Sequence, residues 1–375
     1  MIYRNFKGKE LPFLGLGCMR LPIIENDENN IDMDKAKEMV AYAMEHGVNY
    51  FDTAWGYHGG NSEEAMGIIL KEYPRDSYYV ASKFPGYDLS NMDKVEEIFE
   101  QQLARTGLEY FDFYMLHNVC ELNVKHYLDD EKYGIMSYLL KQKELGRIRH
   151  LGFSSHGRLR TMRKFLDAVG QHMEFCQIQL NWLDWDFQKA SEKAKLLTKR
   201  NIPIFVMEPL RGGRLAMLPE DKDIVLKELR PKESTAAWGF RFLQGIDNVA
   251  LVLSGMSNMK QLKENIEITS VNKPLSDRET MVLLYTATGL IDPIPCTACR
   301  YCTTHCPKGL DIPTLLSLYN EHETTENGFI APMAIASLPE DKKPSACIGC
   351  RACNDVCPQK IQISEALADL SAKIK

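Results

Sequence analysis

Eight cysteines near the end of the chain have a spacing suited to holding metal. Each of two runs reads C-x2-C-x2-C-x3-C-P: Cys296, Cys299, Cys302 and Cys306 with Pro307, then Cys347, Cys350, Cys353 and Cys357 with Pro358. Thiolates are ligands of iron–sulfur clusters and of zinc. A disulfide framework is typical of short secreted chains. The runs therefore predict a metal–thiolate module, while the other three cysteines, Cys18, Cys120 and Cys176, are scattered.

The spacing within each run favours iron–sulfur clusters over zinc. Zinc ribbons use two separated cysteine pairs, whereas three cysteines at successive i, i+3 positions suit a four-iron cluster. The repeat resembles that of bacterial two-cluster ferredoxins, in which the fourth cysteine of each run binds the other cluster. This resemblance implies two 4Fe-4S clusters, one held by Cys296, Cys299, Cys302 and Cys357, and one by Cys347, Cys350, Cys353 and Cys306. The long segment between the runs predicts an inserted helix.

Four ionisable side chains earlier in the chain could carry out acid–base chemistry on a carbonyl. Asp52, Lys83 and His117 each end an apolar run, and Tyr57 follows the first of these runs. A phenol, with a pKa of about 10, is a poor acid at neutral pH unless a cation stabilises the phenolate. Lys83 can supply that cation, Asp52 can keep it charged, and His117 can hydrogen-bond the substrate oxygen. Taken singly, each has an ordinary structural role as a cap, core or rim residue.

Bringing these residues together requires a fold that collects strand ends at one edge. Short β-rich runs alternate with amphipathic helical stretches, which favours a (β/α)8 barrel, a fold of typically about 250 residues with its active site at the C-terminal ends of the strands. A doubly wound sheet is the alternative, but LGLG is followed by CMRLP without the glycine-rich phosphate turn. The eight predicted strands are Phe13–Gly17, Asn49–Asp52, Tyr79–Lys83, Phe111–Leu116, Ile148–Phe153, Phe175–Leu180, Pro203–Met207 and Val249–Leu253.

The sequence is therefore divided into an α/β part and a small cysteine-rich part. We expect a TIM barrel over residues 1–272, a linker with a short helix over 273–295, and an α+β ferredoxin-like iron–sulfur domain over 296–375.

The first part resembles the aldo-keto reductase superfamily. The segment FDTAWGYHGGNSEEAMG carries the likeness, and VASKFP, YMLHN, GFSSH, CQIQLN, MEPLRGGRL and GMSNMKQLKEN follow in the family's order. The resemblance implies that Asp52, Tyr57, Lys83 and His117 form a catalytic tetrad in which Tyr57 donates a proton to the carbonyl oxygen.

The same resemblance implies a nicotinamide dinucleotide along the barrel rim. NADP(H) is the family's expectation, and NAD(H) stays open because the adenosine loop lacks a forward Arg or Lys, leaving Lys260 and Lys263. Met207 stands where many relatives carry a stacking aromatic. The implied cofactor residues are Met19, Ser154, Ser155, Gln177, Met207, Leu210, Arg211, Gly213, Gly255, Ser257, Gln261, Glu264 and Asn265, of which Ser154, Ser155 and Gln177 would bind the carboxamide.

Two residues are candidates for substrate contacts. Arg20 could bind a substrate carboxylate in a bidentate manner or form a surface ion pair. Trp55, with the loop over 118–133, could shape the pocket.

Composition excludes several other classes of function. The 375 residues include 45 Lys and Arg against 51 Asp and Glu, a net charge of −6, and no basic run could follow a phosphate backbone. No apolar run approaches the roughly 18 residues of a membrane span, and the N-terminus lacks a signal-peptide core. We expect a cytoplasmic protein with no nucleic-acid or membrane partner.

Three hypotheses follow. The first is an NAD(P)H-dependent oxidoreductase acting on a small-molecule carbonyl or alcohol, with clusters that transfer electrons, sense redox state or support the structure. The second is an iron–sulfur electron-transfer protein with a redox-protein partner. The third is a nicotinamide-binding redox sensor.

Overall fold

The computed structural model of the chain describes residues 1–290, 294–296, 299–325, 328–357 and 359–374. It divides into two compact units, Met1–Ala287 and Thr288–Lys375. None of the described helices has the length and apolar character needed to cross a bilayer.

The first unit begins with a β-hairpin that the sequence analysis did not predict. Strands β1 (Tyr3–Phe6) and β2 (Lys9–Pro12) pair antiparallel. Lys7 and Gly8 join them with φ of 50° and 83°, as a two-residue type I′ turn requires. The turn lacks the Asn-Gly or Asp-Gly pair that normally reveals such a hairpin.

Eight parallel strands then form a closed barrel, in which the last strand pairs with the first. The eight strands predicted from the sequence are confirmed, and their bounds differ by at most two residues at either end. The barrel strands are β3 (Leu14–Gly17), β4 (Tyr50–Asp52), β5 (Tyr79–Phe84), β6 (Phe111–Leu116), β7 (Ile148–Ser155), β8 (Cys176–Gln179), β9 (Ile204–Met207) and β10 (Val249–Ser254).

Aromatic side chains fill one end of the barrel. Tyr50, Phe113, Phe175 and Phe205 are buried together with Phe6 of the hairpin, and the Phe175 and Phe205 ring centroids are 4.6 Å apart. Because successive strand residues point to opposite faces, the next inward positions lie two residues further along each strand. The apolar core therefore ends where the candidate polar residues begin.

Helices follow the barrel strands, as in the expected fold. The helices are α1 (Met33–Glu45), α2 (Asn61–Leu70), α3 (Val95–Thr106), α4 (Val124–Tyr127), α5 (Asp130–Tyr133), α6 (Ile135–Glu144), α7 (Leu159–Val169), α8 (Asp184–Phe187), α9 (Ala190–Lys199), α10 (Glu220–Leu229), α11 (Thr235–Gln244), α12 (Met259–Thr269) and α13 (Asp277–Thr288).

The second unit is helical. Its helices are α14 (Tyr301–Thr304), α15 (Ile312–Thr324), α16 (Ile330–Ala336), α17 (Ala352–Asp355) and α18 (Ile363–Lys373). No strand occurs among its described residues, so the expected α+β class is corrected to a helical one. The cysteine runs form loops and single-turn helices, and apolar residues of α15 and α18 pack around them. The helix predicted between the runs is confirmed, since both α15 and α16 lie there.

Candidate active site and cysteine-lined cavities

Three barrel strands bring Asp52, Lys83 and His117 to the same rim. Asp52 lies two residues after the core residue Tyr50 on β4, and Lys83 lies two residues after the core residue Ala81 on β5. His117 directly follows β6. Alternation along each strand thus aims all three side chains into the barrel at its C-terminal end.

Lys83 is the centre of the cluster and is almost completely buried. Its Nζ donates to Asp52 Oδ1 at 2.5 Å, to the Thr53 carbonyl oxygen at 2.8 Å and to the Tyr57 hydroxyl at 3.2 Å. An ammonium group has three protons, so these three acceptors satisfy it. One of the three is the phenol that the sequence predicts as proton donor.

A second, buried network holds the strand that carries Lys83. Glu63 of α2 is fully buried and accepts from Ser82 Oγ and from Gln102 Nε2, each at 2.6 Å. Gln102 Nε2 also donates to the Lys83 carbonyl oxygen at 3.1 Å. The network fixes the backbone on both sides of the lysine.

His58 fixes the short 3-10 helix that contains Tyr57. Its Nε2 accepts from Leu21 N at 3.1 Å, and its Nδ1 lies 2.6 Å from the Glu28 carbonyl oxygen. These contacts require a neutral ring with the proton on Nδ1. The loops after β3 and β4 are therefore tied together beside Tyr57.

The electrostatics of the cluster keep Lys83 charged and Tyr57 protonated. Burial alone would lower the pKa of Lys83, but the adjacent Asp52 carboxylate and Tyr57 leave it above its ordinary value. Burial raises the pKa of Tyr57, and the Lys83 charge opposes that rise. Tyr57 thus holds its proton at neutral pH beside a cation that would stabilise its phenolate.

His117 is neutral under ordinary conditions. Burial, followed by the nearby charges of Lys83 and His156, holds its pKa well below the usual range. Its ring lies edge-on to the Tyr57 ring with centroids 6.1 Å apart. Tyr127 Oη donates to the His117 carbonyl oxygen at 2.8 Å. The buried Nδ1 has no hydrogen-bond partner in the described residues, so a ring nitrogen is open to a ligand.

Tyr87 is a site residue that the sequence analysis missed. It follows β5, and its ring lies perpendicular to the His117 ring at a centroid distance of 5.1 Å. A Cβ at Gly56 would lie 2.5 Å from the Tyr87 hydroxyl oxygen, so a glycine here lets the phenol approach the loop that carries Tyr57. The available signal was the aromatic after the third barrel strand, in FPGYD.

The three residues predicted to bind the carboxamide differ in whether their polar atoms already have hydrogen-bond partners. Gln177 is buried, and its Oε1 has no hydrogen-bond partner in the described residues, so it fits a polar ligand. Ser155 already has hydrogen-bond partners within the protein. It is fully buried, donates to the Val119 carbonyl oxygen at 2.7 Å and accepts from Gly157 N at 3.2 Å. Ser154 Oγ similarly accepts from Asn118 N at 2.8 Å. Both serines hold the neighbouring loops.

The loop after β9 exposes its backbone at Gly213. Gly213 has a φ of 98°, and a Cβ there would meet no atom within 4 Å, so this position is open. The Arg211 side chain instead points inward and is buried, with Nε 3.3 Å from Asp184 Oδ2. Met207 and Leu210 are half-buried.

Arg20 and Trp55, the two candidates for substrate contacts, both pack against other parts of the protein. The Arg20 stem packs within 3.0–3.3 Å of the position a Gly255 Cβ would occupy, and its guanidinium lies 3.3 Å from that position at Gly212. Arg20 therefore lies between two loops predicted to bind the cofactor, next to the exposed Met19. The Trp55 ring is covered by the Arg105 guanidinium at 3.8 Å, so that face is unavailable to a substrate.

The loop before α12 is ordered by its own side chains. Ser257 N donates to Gln261 Oε1 at 2.8 Å, and Asn265 Nδ2 donates to Ser254 Oγ at 3.1 Å. Glu264 is half-buried. Both lysines predicted near a 2′-phosphate are exposed. Lys263 Nζ lies over the Tyr42 ring at 5.1 Å, and Lys260 is in the first turn of α12.

The second unit contains two cavities, each lined by four cysteines. The first is lined by Cys296, Cys299, Cys302 and Cys357. The second is lined by Cys306, Cys347, Cys350 and Cys353. Each cavity thus combines three cysteines of one run with the fourth of the other, which is the crosswise grouping named above. The remaining walls are largely apolar, with Leu316 and Ile361 in the first and Leu310 and Leu367 in the second.

The chemistry of the two cysteine-lined cavities fits iron–sulfur clusters. A zinc site would place four sulfurs about 2.3 Å from a common centre. Two four-cysteine cavities with apolar walls instead fit 4Fe-4S clusters.

Comparison with known proteins finds two family models. The model of the "Aldo/keto reductase family" matches residues 13–282, and that of the "4Fe-4S dicluster domain" matches residues 295–361.

Individual relatives match the larger part of the chain. The "Uncharacterized oxidoreductase YqkF" of Bacillus subtilis is 26% identical over 301 residues, covering 72% of this chain and 90% of that protein. The "NADH-specific methylglyoxal reductase" of Escherichia coli is 24% identical, covering 72% and 93%. Among solved structures, aldo-keto reductase AKR11C1 from Bacillus halodurans shares the fold, with a TM-score of 0.62, 24% identity, and coverage of 76% of this chain and 96% of that one.

Proposed function

Because the chain belongs to the aldo/keto reductase family and carries a 4Fe-4S dicluster domain after its barrel, we propose that it interconverts a small-molecule carbonyl and an alcohol, using a nicotinamide dinucleotide. The observation that carries the proposal is the buried ammonium of Lys83, held between the Asp52 carboxylate and the Tyr57 hydroxyl. A lysine with only a structural role would not need a phenol as one of its three acceptors.

Tyr57 gives its proton to the substrate oxygen during reduction and takes it back during oxidation. The phenolate formed by that transfer lies 3.2 Å from Lys83 Nζ, so the charge is stabilised where it develops. Asp52 keeps the lysine charged despite burial. The barrier to proton transfer is lowered because these charges are in place before the substrate arrives.

His117 orients the carbonyl. The low pKa of its ring leaves it neutral, so it can donate a hydrogen bond without a net charge that would compete with Lys83. The Tyr87 ring packs against the His117 ring and holds the orientation of that ring. Both side chains line the approach to Tyr57.

The dinucleotide, when bound, supplies or accepts the hydride. Gln177 would bind the carboxamide through its unpartnered amide oxygen. Arg20, between Gly212 and Gly255, would meet the phosphates with the open backbone at Gly213. Lys260 at the start of α12 favours NADP(H), since a cation and a helix N-terminus both attract phosphate. NAD(H) is the alternative, and the name of the Escherichia coli relative specifies NADH.

The eight cysteines of the two cavities would hold two 4Fe-4S clusters. A second candidate function, electron exchange with a redox protein, is favoured by one observation. Cys299 and Cys350 are exposed while Cys302 and Cys353 are buried, so each cluster would have one edge near solvent. The alternative roles of these clusters are electron transfer, redox sensing and structural support.

One experiment separates these functions. The protein is purified without oxygen, its iron and sulfide are measured, and NADPH and NADH oxidation by a panel of carbonyl compounds is assayed before and after cluster removal. Carbonyl-dependent oxidation that disappears in Tyr57→Phe supports the reductase. Turnover that survives Tyr57→Phe contradicts it. Loss of turnover on cluster removal, with the barrel still folded by circular dichroism, favours an electron or sensing role for the clusters.

A further inference from the structure

The second unit contains an internal repeat, so residues that face its two cavities can be compared in pairs. Arg300 and Arg351 each follow the second cysteine of a run with left-handed φ, 66° and 60°, and each precedes a one-turn helix. Gly309 and Lys360 each lie three residues after the last cysteine of a run, with φ of 58° and 53°. The two halves therefore have matching backbone conformations at these positions.

Most paired positions present the same charge to both cavities. Arg300 lines the first cavity and Arg351 the second. Each arginine is paired with an acid, Arg300 with Asp311 at 3.0 Å and Arg351 with Glu365 at 2.8 Å. The two ion pairs thus contribute a similar net charge to their respective cavities.

One paired position differs in charge. The residue two places after the last cysteine of each run lines a cavity, and it is Lys308 in the second cavity but Gln359 in the first. Among the described residues, Lys308 has no ion-pair partner. The neighbouring Lys342 donates to the Lys308 carbonyl oxygen at 2.8 Å, but its charge is offset by Asp341 at 3.5 Å. The second cavity therefore carries one more positive charge on its wall.

We propose that Lys308 gives the cluster held by Cys306, Cys347, Cys350 and Cys353 the higher reduction potential of the two. This inference rests on the proposed pair of 4Fe-4S clusters. Each cluster accepts a single electron and becomes more negative, so a cation at the cavity wall stabilises its reduced form. The apolar parts of the two linings are alike, so the charge difference decides the order. An electron placed on the first cluster then moves to the second.

Lys360 is a cation close in sequence to the paired position in the first cavity. Lys360 does not line the first cavity, whereas Lys308 lines the second. Both side chains are exposed, so the difference between the two lysines is whether they line a cavity. A Coulomb interaction weakens with distance, so a lysine at the cavity wall acts on a cluster more strongly than one that does not line the cavity. Lys360 therefore does not compensate for the absence of a cation at position 359.

The test is a redox titration of the full-length protein, followed by electron paramagnetic resonance, on the wild type and on variants at the paired positions. Lys308→Gln is expected to lower the higher of two midpoint potentials and leave the lower one in place. Gln359→Lys should raise the lower one. The double exchange should reverse the assignment while keeping two separate midpoints, Lys308→Arg should behave as wild type, and Lys360→Gln should change neither potential appreciably.

Two results would overturn the inference. Equal midpoint potentials in the wild type would show that residue 308 does not separate the potentials of the two clusters. A Lys308→Gln shift of the same size in both clusters would show the same. Iron and sulfide are measured first, and about eight of each per chain are expected for two clusters. A content near four or zero would contradict the two-cluster proposal itself, and so would be distinguishable from failure of the charge argument alone.

Discussion

The ammonium nitrogen of Lys83 lies 3.2 Å from the hydroxyl oxygen of Tyr57. The two residues come from different strand–loop units of the barrel, and the lysine is held in place by Asp52 and the Thr53 carbonyl. This contact makes a weak acid usable at neutral pH, because the cation is already next to the oxygen that becomes charged.

Replacing Tyr57 by Phe removes the proton donor and keeps the ring. We expect carbonyl reduction to fall about 10²–10⁴-fold, the usual contribution of a positioned general acid, with the melting temperature nearly unchanged. Steady-state kinetics and thermal unfolding measure the two effects. Tyr87→Phe is the matched control, since it removes the hydroxyl of a ring whose centroid lies 5.1 Å from that of the same histidine and leaves the donor in place. A comparable loss in both variants would argue against a distinct role for Tyr57.

The pH dependence of reduction follows from the shifted pKa values. Burial raises the pKa of Tyr57, so the acid form persists and the rate should be flat from about pH 6 to about pH 9, falling only as the pH rises through the raised value. The pKa of His117 lies well below its usual range, so no inflection is expected near pH 6.5. In the oxidation direction the rate should rise with pH, because the phenolate is then the active form. A reduction rate that halves between pH 6 and pH 7 would contradict the neutral histidine.

The strands that carry these residues were predictable because barrel strands are buried on both sides and read as apolar runs ending in a polar residue. Asp52 and Lys83 could be placed on one rim from that pattern alone. The hairpin at the N-terminus was missed because Lys7 adopts a left-handed conformation without the usual turn sequence.

Side-chain directions in loops were less predictable, because packing between loops decides them. The bond from the Ser155 hydroxyl to the loop after β6 was not predicted. Arg20 was expected either to bind a substrate carboxylate or to form a surface ion pair, and its packing beside Gly255 was not predicted. Tyr87 gave only the weak signal of an aromatic in a loop. No local periodicity encodes contacts between loops that are distant in sequence.

Arg20 provides a test of that packing. Its position between Gly212 and Gly255 predicts that Arg20→Met raises the KM for the dinucleotide about tenfold, the loss of one charge-assisted hydrogen bond to phosphate, and leaves the KM for the carbonyl compound unchanged. Dinucleotide binding followed by fluorescence titration gives an independent measure. If the carbonyl KM rises instead, the arginine binds the substrate, as the sequence first allowed.

Glu63 should be required for stability more than for chemistry. Glu63→Ala leaves the buried donors of Ser82 and Gln102 without their acceptor, and we expect it to lower the free energy of unfolding by about 3 kcal/mol, from about 1–3 kcal/mol per unsatisfied group. Glu64→Ala, at the exposed neighbouring position, should change it by less than about 0.5 kcal/mol. Urea unfolding of both variants measures the difference. Equal effects would mean that the network does not support β5.

The crosswise grouping of cysteines predicts which substitutions have the same effect. Cys306 lines the cavity of Cys347, Cys350 and Cys353, although it belongs to the other run in sequence. Cys306→Ala and Cys353→Ala should therefore impair the same cluster and leave the same residual signal in electron paramagnetic resonance, with iron reduced toward about four atoms per chain. Cys302→Ala, in the same run as Cys306, should leave the other signal. If Cys306→Ala instead matched Cys302→Ala, each run would hold its own cluster, and the grouping seen in the two cavities would not describe the metal-bound protein.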